Sequence, residues 1–469
     1  MNKKRSFIIF FILLLPNILI FNALIGTNAS DNTEVNSIKS FTKNILLSNS
    51  DTKYPQHVEP TMAIGSDNQL YVGWKNAFYP NSGGLAVSFT TSTDNGSTWS
   101  QPNFMPTNVS DQNFQSDPWL NVHDNEIFYS YLDYANTSFP NPSSQVTMAK
   151  SVDKGSTWTT SKASTNNYFA DKETFIVSTN GTIYVVYDDV NIRTGLGGIK
   201  LSKSVNNGLT FNDISRVNDY AVENILAPYS ALSSNGTLFV AWLKIDTNNT
   251  GDVYYAHSTN GGITFSSEKD LNPETNFGTS IGNGLAPGIS TIPVVKFDSH
   301  NRLYVLWTEH DKIWQVYLRY SDDFGRHWSS KIPINANTDK NQWEPDMAID
   351  SKDNLHLVWY EETYNRYRPY YREMSFTGLN RSDIVQSKVI PVASSFTSSN
   401  FTRPGDYCTI RVDSFDLPHV VWTDGRKGEL DIYYAHASSE YQASSIPSFT
   451  YPFFIFSITF LILLRKKKI

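Results

Sequence analysis

Acidic residues recur at two kinds of position in this chain of 469 residues, the starts of apolar strands and the ends of the strands that follow. Those at strand starts are Glu59, Asp117, Glu173, Glu344, Asp346 and Asp406. Those at strand ends are Asp133, Asp188, Asp189, Glu309, Glu361, Glu362 and Asp424. Carboxyl groups that share one site can divide the acid and the base or nucleophile roles of glycoside hydrolysis. A ring of carboxylate oxygens also suits Ca²⁺, and acids at strand ends can simply keep a rim soluble.

A repeated strand must position these acids. It is apolar, ends in an aromatic residue and recurs at intervals of 52 to 65 residues. The seven terminal aromatics are Trp74, Tyr131, Tyr187, Trp242, Trp307, Trp359 and Trp422. A turn with Asn, Gly or Asp and a further strand precede the copies, which is the pattern of a β-hairpin. The sequence therefore predicts an all-β domain of seven repeated units.

A second repeat follows the first in phase. It reads Ser92-Thr-Asp-Asn-Gly-Ser-Thr-Trp99 in the first unit and Ser151-Val-Asp-Lys-Gly-Ser-Thr-Trp158 in the second, with weaker copies starting at Ser204, Ser258 and Ser321. The Asp or Asn side chain satisfies turn amides, and Gly supplies a positive φ. This motif resembles the Asp-box, or BNR repeat, of the sialidase superfamily.

The resemblance implies a β-propeller, and seven units imply seven blades, although the best-known sialidases have six and a six-bladed ring is the alternative. The seventh unit lacks an outer strand, which we expect the N-terminal segment 39–49 to supply, closing the ring within a domain of residues 38–441. In such a ring the Asp-box turns lie on one rim, and the strand-start and strand-end acids meet at the opposite, central mouth.

The resemblance also implies a glycoside hydrolase of the exo-sialidase type, which needs three arginines, a nucleophilic Tyr with a Glu partner, and an Asp acid/base. The usual Arg-Ile-Pro signature of the first blade is absent, where the chain reads Tyr54-Pro-Gln-His-Val-Glu-Pro60. The catalytic candidates are Asp406, Tyr407, Glu344, Glu59 and Asp117. The substrate-binding candidates are Arg403, Arg426, Asp424, Glu173 and Asp346.

The two ends of the chain predict export and membrane attachment. Residues 1–29 have a basic start and a long apolar run, as in a signal peptide or signal anchor, and residues 442–469 form an apolar tail with a basic stop. The two tails hold 7 of the 38 Lys and Arg residues and no acid, so the remainder carries 31 basic against 45 acidic residues, a net charge of −14. That charge argues against a nucleic-acid partner.

These features predict a cell-surface propeller, expected as a monomer on the extracellular face of the membrane, that binds glycans at an acidic mouth and, if it is an enzyme, hydrolyses them. A non-catalytic scaffold for adhesion or for a surface protein ligand is the alternative, since propellers host both. Cys408 is the single cysteine, so no cysteine metal cluster is expected. No metal ligand set or cofactor is indicated other than the calcium alternative.

Overall fold

The computed structural model describes the central part of the chain and is all-β there. The described residues are 38–48, 53–79, 83–107, 113–135, 144–164, 169–191, 193–220, 222–223, 225–245, 250–274, 277–278, 292–310, 312–335, 339–377, 383–397 and 405–438. Within these ranges the search for an apolar helix long enough to cross a membrane found none. The predicted terminal segments, 1–29 and 442–469, lie outside the described residues.

Seven antiparallel sheets form a seven-bladed propeller, in which the first strand of each blade is innermost and contacts the first strands of its neighbours. The innermost strands of blades one to seven are Gln56–Ile64, Asn113–His123, Phe169–Val177, Ile225–Leu232, Val294–Phe297, Gln342–Ile349 and Thr409–Val412. The second strands are Leu70–Ala77, Glu126–Ala135, Ile183–Val190, Leu238–Ile245, Leu303–His310, Leu355–Thr363 and Pro418–Asp424.

Each blade continues outward with a third strand and a shorter outer one. The third strands are Ala86–Ser92, Ser144–Ser151, Leu196–Ser204, Thr250–Ser258, Trp314–Ser321, Arg366–Thr377 and Asp431–His436. The outer strands of blades one to six are Asn103–Phe104, Thr159–Lys162, Asn212–Arg216, Lys269–Asp270, Ile332–Pro333 and Asp383–Gln386. Val222–Glu223, Phe277–Gly278 and Ile390–Pro391 add short pairings to the third strands of blades three, four and six.

The N-terminal segment closes the ring as predicted. Ile45–Leu46 pairs antiparallel with Asp431–His436, opposing Ile45 to Tyr434, and a bridge joins Phe41 to Ala437. The last blade is therefore built from both ends of the domain, so that opening the ring requires the N-terminal strand to leave. The propeller has seven blades, as the repeat predicted, and not the six of the alternative.

The repeated aromatics explain why the second strands define the blades. All seven side chains that end the predicted strands are fully buried, from Trp74 in blade one to Trp422 in blade seven. They join apolar clusters that bridge adjacent blades; one cluster packs Val72 and Trp74 of blade one against Val421 and Tyr434 of blade seven. Truncating a core Trp typically costs about 3–5 kcal/mol, so these contacts hold the ring together.

The five serine-led turns share one hydrogen-bond pattern. In each, the Ser hydroxyl accepts the amide of the Gly four residues later at 2.8 to 3.0 Å and donates to the Asp or Asn side chain at 2.8 to 2.9 Å. The Gly residues have φ between +81° and +87°, a region that L side chains rarely adopt. These turns join third and outer strands on the rim opposite the mouth.

Candidate functional site

One backbone feature recurs at the mouth, where the innermost strands begin. The pairing of the first with the second strand is interrupted by a β-bulge in blades one, two, three, four and six. In each bulge a non-glycine residue has φ between +49° and +58°: Glu59, Asp117, Lys172, Ala227 and Glu344. Such strained conformations cost about 1–3 kcal/mol and cluster at functional sites. Residues 279–291, which precede the innermost strand of blade five, lie outside the described residues.

Lys172 lies at the centre of the mouth. Its ammonium donates to Asp117 Oδ1 at 2.7 Å and to Asp406 Oδ2, so it bridges blades two, three and seven. Beside it, Lys75 of blade one pairs with Glu59 Oε1. The side chains of all five residues are less than a tenth exposed. Glu59, Asp117 and Asp406 each place a carboxylate oxygen within 4.8 Å of the others, so two ammonium groups neutralise part of a dense acidic cluster.

Gly405 allows blade seven to approach blade one at this point. Its φ is +108°, and a Cβ there would lie 2.8 Å from Glu59 Cγ and 3.0 Å from the Glu59 amide nitrogen. A larger residue would push Asp406 away from Glu59. The hydroxyl of Thr409 fixes the same junction by donating to the Pro60 carbonyl at 2.8 Å. Two of the predicted catalytic candidates, Glu59 and Asp406, can therefore lie close together because Gly405 has no side chain.

The carboxyl groups around Lys172 have opposite proton affinities. Burial alone would raise the pKa of Asp117, but the Lys172 and Lys75 ammonium groups lower that pKa to about 2. Burial and the neighbouring Asp117 carboxylate raise the pKa of Asp171 to about 6. Burial likewise raises the pKa of Asp188, which opposes Asp171 in the strand pair, well above its ordinary value. Carboxyl groups with lowered and with raised pKa values therefore lie side by side around Lys172.

Burial raises the pKa values of both Glu173 and Tyr407. Glu173 is 3% exposed, and its burial, followed by the charges of Asp117 and Asp171, raises its pKa well above 4.5. Burial and the same acidic cluster raise the pKa of Tyr407 well above 10, and its hydroxyl donates to Asp117 Oδ1 at 3.5 Å. Glu173 therefore binds its proton more tightly than an ordinary glutamate and can act as a proton donor. Tyr407 ionises less readily than an ordinary tyrosine and is a weak nucleophile.

A small cavity opens at this cluster. Charged and polar side chains line it, namely Lys172, Glu173, Glu344, Asp346, Asp406 and Tyr407. Its floor is aromatic: Trp119 packs edge-on against Tyr229 with ring centroids 5.3 Å apart and against Tyr407 at 6.2 Å. The cavity volume is about 30 Å³, which accommodates about two water molecules.

The mouth cluster does not fit a calcium ion. Ca²⁺ needs six to eight oxygen ligands free of other cations. Here the Lys172 ammonium already bridges Asp117 and Asp406, and Lys75 already binds Glu59. The positive charge that three converging carboxylates require is supplied by the protein itself.

The structure brings together seven of the ten predicted site residues. Glu59 and Asp117 contact the lysines, and Glu173, Glu344, Asp346, Asp406 and Tyr407 line the cavity. Asp424 and Arg426 do not line it: they pair with each other at 2.5 Å, and the Arg426 guanidinium also donates to Asn44 and lies over the Tyr433 ring. Arg403 lies outside the described residues. No arginine of the described residues lines the mouth cavity.

Sequence reasoning missed Lys172, Lys75 and the aromatic floor. Lys172 lies in the run Asp171-Lys172-Glu173, where the two acids drew attention. Aligning the inner strands by register would have found it, because Lys172 occupies the position of Glu59, Asp117 and Glu344, each two residues before the chain resumes pairing at Thr61 or its equivalents. Trp119 and Tyr229 resemble ordinary core aromatics in the sequence, and nothing there marks them.

Comparisons with known proteins support the fold. No family model matches the chain, and no curated protein matches it. Among solved structures, an ulvan lyase of a new polysaccharide lyase family, bound to GlcA(1-4)Rha3S, is similar at a TM-score of 0.53 and 12% identity, over 81% of this chain and 94% of that one. An α-L-arabinofuranosidase of Fusarium graminearum gives 0.49 at 12% identity over 84% and 97%, and a Hadza microbial sialidase gives 0.49 at 13% over 66% and 64%.

Those identities are low, so the similarity is one of fold. The ulvan lyase alignment, which spans most of both chains, supports a propeller of comparable extent. The two values of 0.49 carry no argument about the chemistry of this chain.

Proposed function

We propose that this chain is a glycan-processing propeller whose mouth cleaves glycosidic linkages with Glu173 as the proton donor. The observation that carries the proposal is that two carboxyl groups of the mouth have pKa values shifted in opposite directions. Burial raises the pKa of Glu173 well above its ordinary value, whereas the Lys172 and Lys75 ammonium groups lower the pKa of Asp117 to about 2. Environments that push two carboxyl pKa values apart are how glycosidases assign acid and base roles.

The remaining residues have supporting roles in this proposal. Lys172 pairs with Asp117 and Asp406 and fixes their positions, so that either carboxylate can stabilise positive charge on a sugar ring. Trp119 and Tyr407 offer ring faces and edges on which a sugar can pack. The ulvan lyase that shares this fold was solved with a carbohydrate ligand, which is consistent with a carbohydrate at the mouth.

Within the glycan-active enzymes, the exo-sialidase proposal has less support. It requires arginines around the substrate carboxylate, and the described part of the mouth cavity is lined by none. It also requires an ionisable nucleophilic tyrosine, and the surroundings of Tyr407 hold its hydroxyl neutral. We therefore propose that the BNR-type turns have a structural role only. We also propose that the substrate is a glycan other than a sialoside.

Export and anchoring complete the proposal. The basic, apolar segment at residues 1–29 and the apolar tail at residues 442–469 support a protein displayed outside the membrane, as a monomer. A net charge of −14 between the tails favours an uncharged or cationic ligand over nucleic acid.

A binding protein without turnover is the second candidate, and one observation favours it. The mouth cavity is only about 30 Å³, and ligand pockets are usually roughly 300–1,000 Å³. The buried lysine pairs could serve mainly to neutralise the acids, with the ligand resting on the rim above them.

Product release from a panel of polysaccharides and glycosides tests the proposal, using the full chain and two variants. Glu173→Gln keeps the shape of the side chain but not its titrating proton, and we expect turnover to fall about 10²- to 10⁴-fold. Ser92→Ala, in a turn on the opposite rim, should retain turnover. No product from any substrate, by protein that is folded and binds glycans, would favour the binding candidate, and full turnover by Glu173→Gln would remove Glu173 from the chemistry.

A further inference from the structure

A second chamber lies in the central channel on the other side of the aromatic floor. Its volume is about 260 Å³, far larger than the mouth cavity. Trp119, Thr174 and Tyr229 line both spaces and so separate them. The chamber is lined by the later residues of the innermost strands, including Asn121, Ile176, Ser230 and Val412, and therefore lies toward the rim with the serine-led turns.

The charge in this chamber is opposite to that at the mouth. Lys296 of blade five and Arg411 of blade seven line it, and no carboxylate of the described residues does. Arg411 is balanced in part by Asp346, whose Oδ2 accepts from Nη1 at 2.9 Å. Lys296 makes no hydrogen bond or ion pair with any residue that the structure describes, and its ammonium lies 5.5 Å from the Tyr229 ring centroid. One positive charge in the chamber therefore has no counterion.

Neutral donors surround the two cations. The Ser230 hydroxyl is buried, at 2% exposure for the residue, and has no hydrogen-bond partner among the described residues. Among the described residues, Nη1 is the only guanidinium nitrogen of Arg411 that makes a hydrogen bond, so Nε and Nη2 can donate to a ligand in the chamber that Arg411 lines. Buried polar groups are usually hydrogen-bonded in proteins, so the Ser230 hydroxyl, which lines the same chamber as the two cations, can bond to a ligand there.

The proton affinity of Lys296 agrees with this geometry. Burial and the nearby Arg411 guanidinium lower its pKa to about 8, although the Asp346 carboxylate opposes them. The other described lining residues are uncharged, and the Asp346 carboxylate pairs with Arg411. An anion beside the ammonium would offset both its desolvation and its repulsion from Arg411.

We propose that the second chamber binds a small oxyanion, held by the Lys296 ammonium, Nε and Nη2 of the Arg411 guanidinium, and the Ser230 hydroxyl. A tetrahedral sulfate or phosphate, or a carboxylate, supplies acceptors for all three groups and matches planar guanidinium geometry. The site is distinct from the mouth, since the layer of Trp119, Thr174 and Tyr229 lies between them. It does not depend on whether the mouth is catalytic.

Calorimetric titration of the full chain with inorganic sulfate at pH 7 tests this site, with chloride at matched ionic strength as reference. We expect saturable sulfate binding that Lys296→Met weakens at least tenfold and that Lys296→Arg, which keeps the charge, preserves. Lys269→Met, at an exposed lysine on the outer strand of blade four, should bind sulfate like the parent. Sulfate binding that is absent from the parent, or undiminished in Lys296→Met, would overturn the proposal.

Two further arms identify the source of the anion and separate binding from folding. Acetate and a sulfated disaccharide, titrated in the same way, distinguish a free tetrahedral ion from a carboxylate and from the charged group of a glycan. Because Lys296 has no partner in the absence of an anion, Lys296→Met should unfold in sulfate-free buffer at the same temperature as the parent or higher. A lower unfolding temperature there would make Lys296 a structural residue and contradict the proposal.

Discussion

The serine-led turns on one rim and the bulged strands at the mouth are both repeated features, but they repeat different things. In the turns, residue type and conformation recur together: Ser, then Asp or Asn, then Gly with φ from +81° to +87°. At the mouth the backbone conformation recurs, but the residues are Glu59, Asp117, Lys172, Ala227 and Glu344. The turns stabilise each blade by local hydrogen bonds, whereas the mouth uses a fixed backbone position to present varied chemistry.

The same difference distinguishes the structural role of the turns from the functional role that we propose for the mouth. The Ser, Asp and Gly residues of a turn hydrogen-bond to one another, and the contact that a turn makes with a neighbouring blade is peripheral, as between Lys154 and the exposed Asp67. Residues at the mouth find their partners across blades, as Lys172 of blade three does with Asp117 of blade two and Asp406 of blade seven. Positive φ in a non-glycine residue recurs at the mouth in five blades, but it also occurs in the turns at Asn95, Lys154, Asn207 and Phe324, so the charged contacts across blades are what distinguish the mouth.

The largest expected effect comes from removing the central cation. Lys172→Met leaves Asp117 and Asp406 buried without their ammonium partner, and breaking a buried ion pair in this way costs about 3–5 kcal/mol of unfolding free energy. Urea denaturation measures it. Lys154→Met, in a serine-led turn, removes an ion pair whose side chains are 53% and 42% exposed, and should cost at most about 1 kcal/mol. Equal losses of unfolding free energy in Lys172→Met and Lys154→Met would contradict the claim that ion pairs at the mouth contribute more than those in the turns.

An intermediate effect is expected in the turns. Replacing Ser92, Ser204 or Ser321 by Ala leaves a Gly amide without its acceptor, which should cost about 1–2 kcal/mol of unfolding free energy in each case. The losses should agree from blade to blade, because the hydrogen bonds are the same. Denaturant midpoints of the three variants provide the measurement, and a loss confined to one blade would show that the repeats are not equivalent.

The smallest effect is a pH dependence that arises at the mouth. The pKa of Asp171 is raised from 3.8 to about 6, so between these pH values the folded protein holds a proton that the unfolded chain has released. Its contribution therefore lowers the unfolding free energy as pH rises across this window. Asp171→Asn should flatten that slope, as measured by urea midpoints at several pH values. Asp219→Asn, at an exposed position, should not change it, and an unaltered slope in Asp171→Asn would contradict the assignment.

The blades and their closure could be predicted from the sequence because they rest on local, repeated signals. Aromatics at the ends of the second strands and the Ser-Asp-Gly turns mark each unit, and the missing strand of blade seven directs attention to residues 39–49. The acids of the mouth were predictable as a set because strand starts share one face. These inferences need only the order of the strands.

The partners of those acids could not be predicted, because they depend on bulges and on packing across the ring. Lys172 has a positive φ in the bulge, which directs its side chain to the carboxylates of the mouth, and nothing in the sequence predicts this conformation. Arg426 was expected at the mouth, but the N-terminal strand completes blade seven and brings Asn44 within 3.0 Å, which holds the guanidinium there. Lys296 and Arg411 lie on strands whose sequences show no special pattern. Only the structure shows that the two residues line the same chamber.

The location of a bound glycan tests the account most directly. A crystal structure of Glu173→Gln with the glycan that the full chain binds most tightly would show it. We predict the sugar at the mouth, above Trp119 and within hydrogen-bonding distance of Lys172, Asp406 or Glu344. A glycan seated on the outer strands or on the rim of the serine-led turns, with the mouth empty, would contradict the assignment of function to the bulged strands.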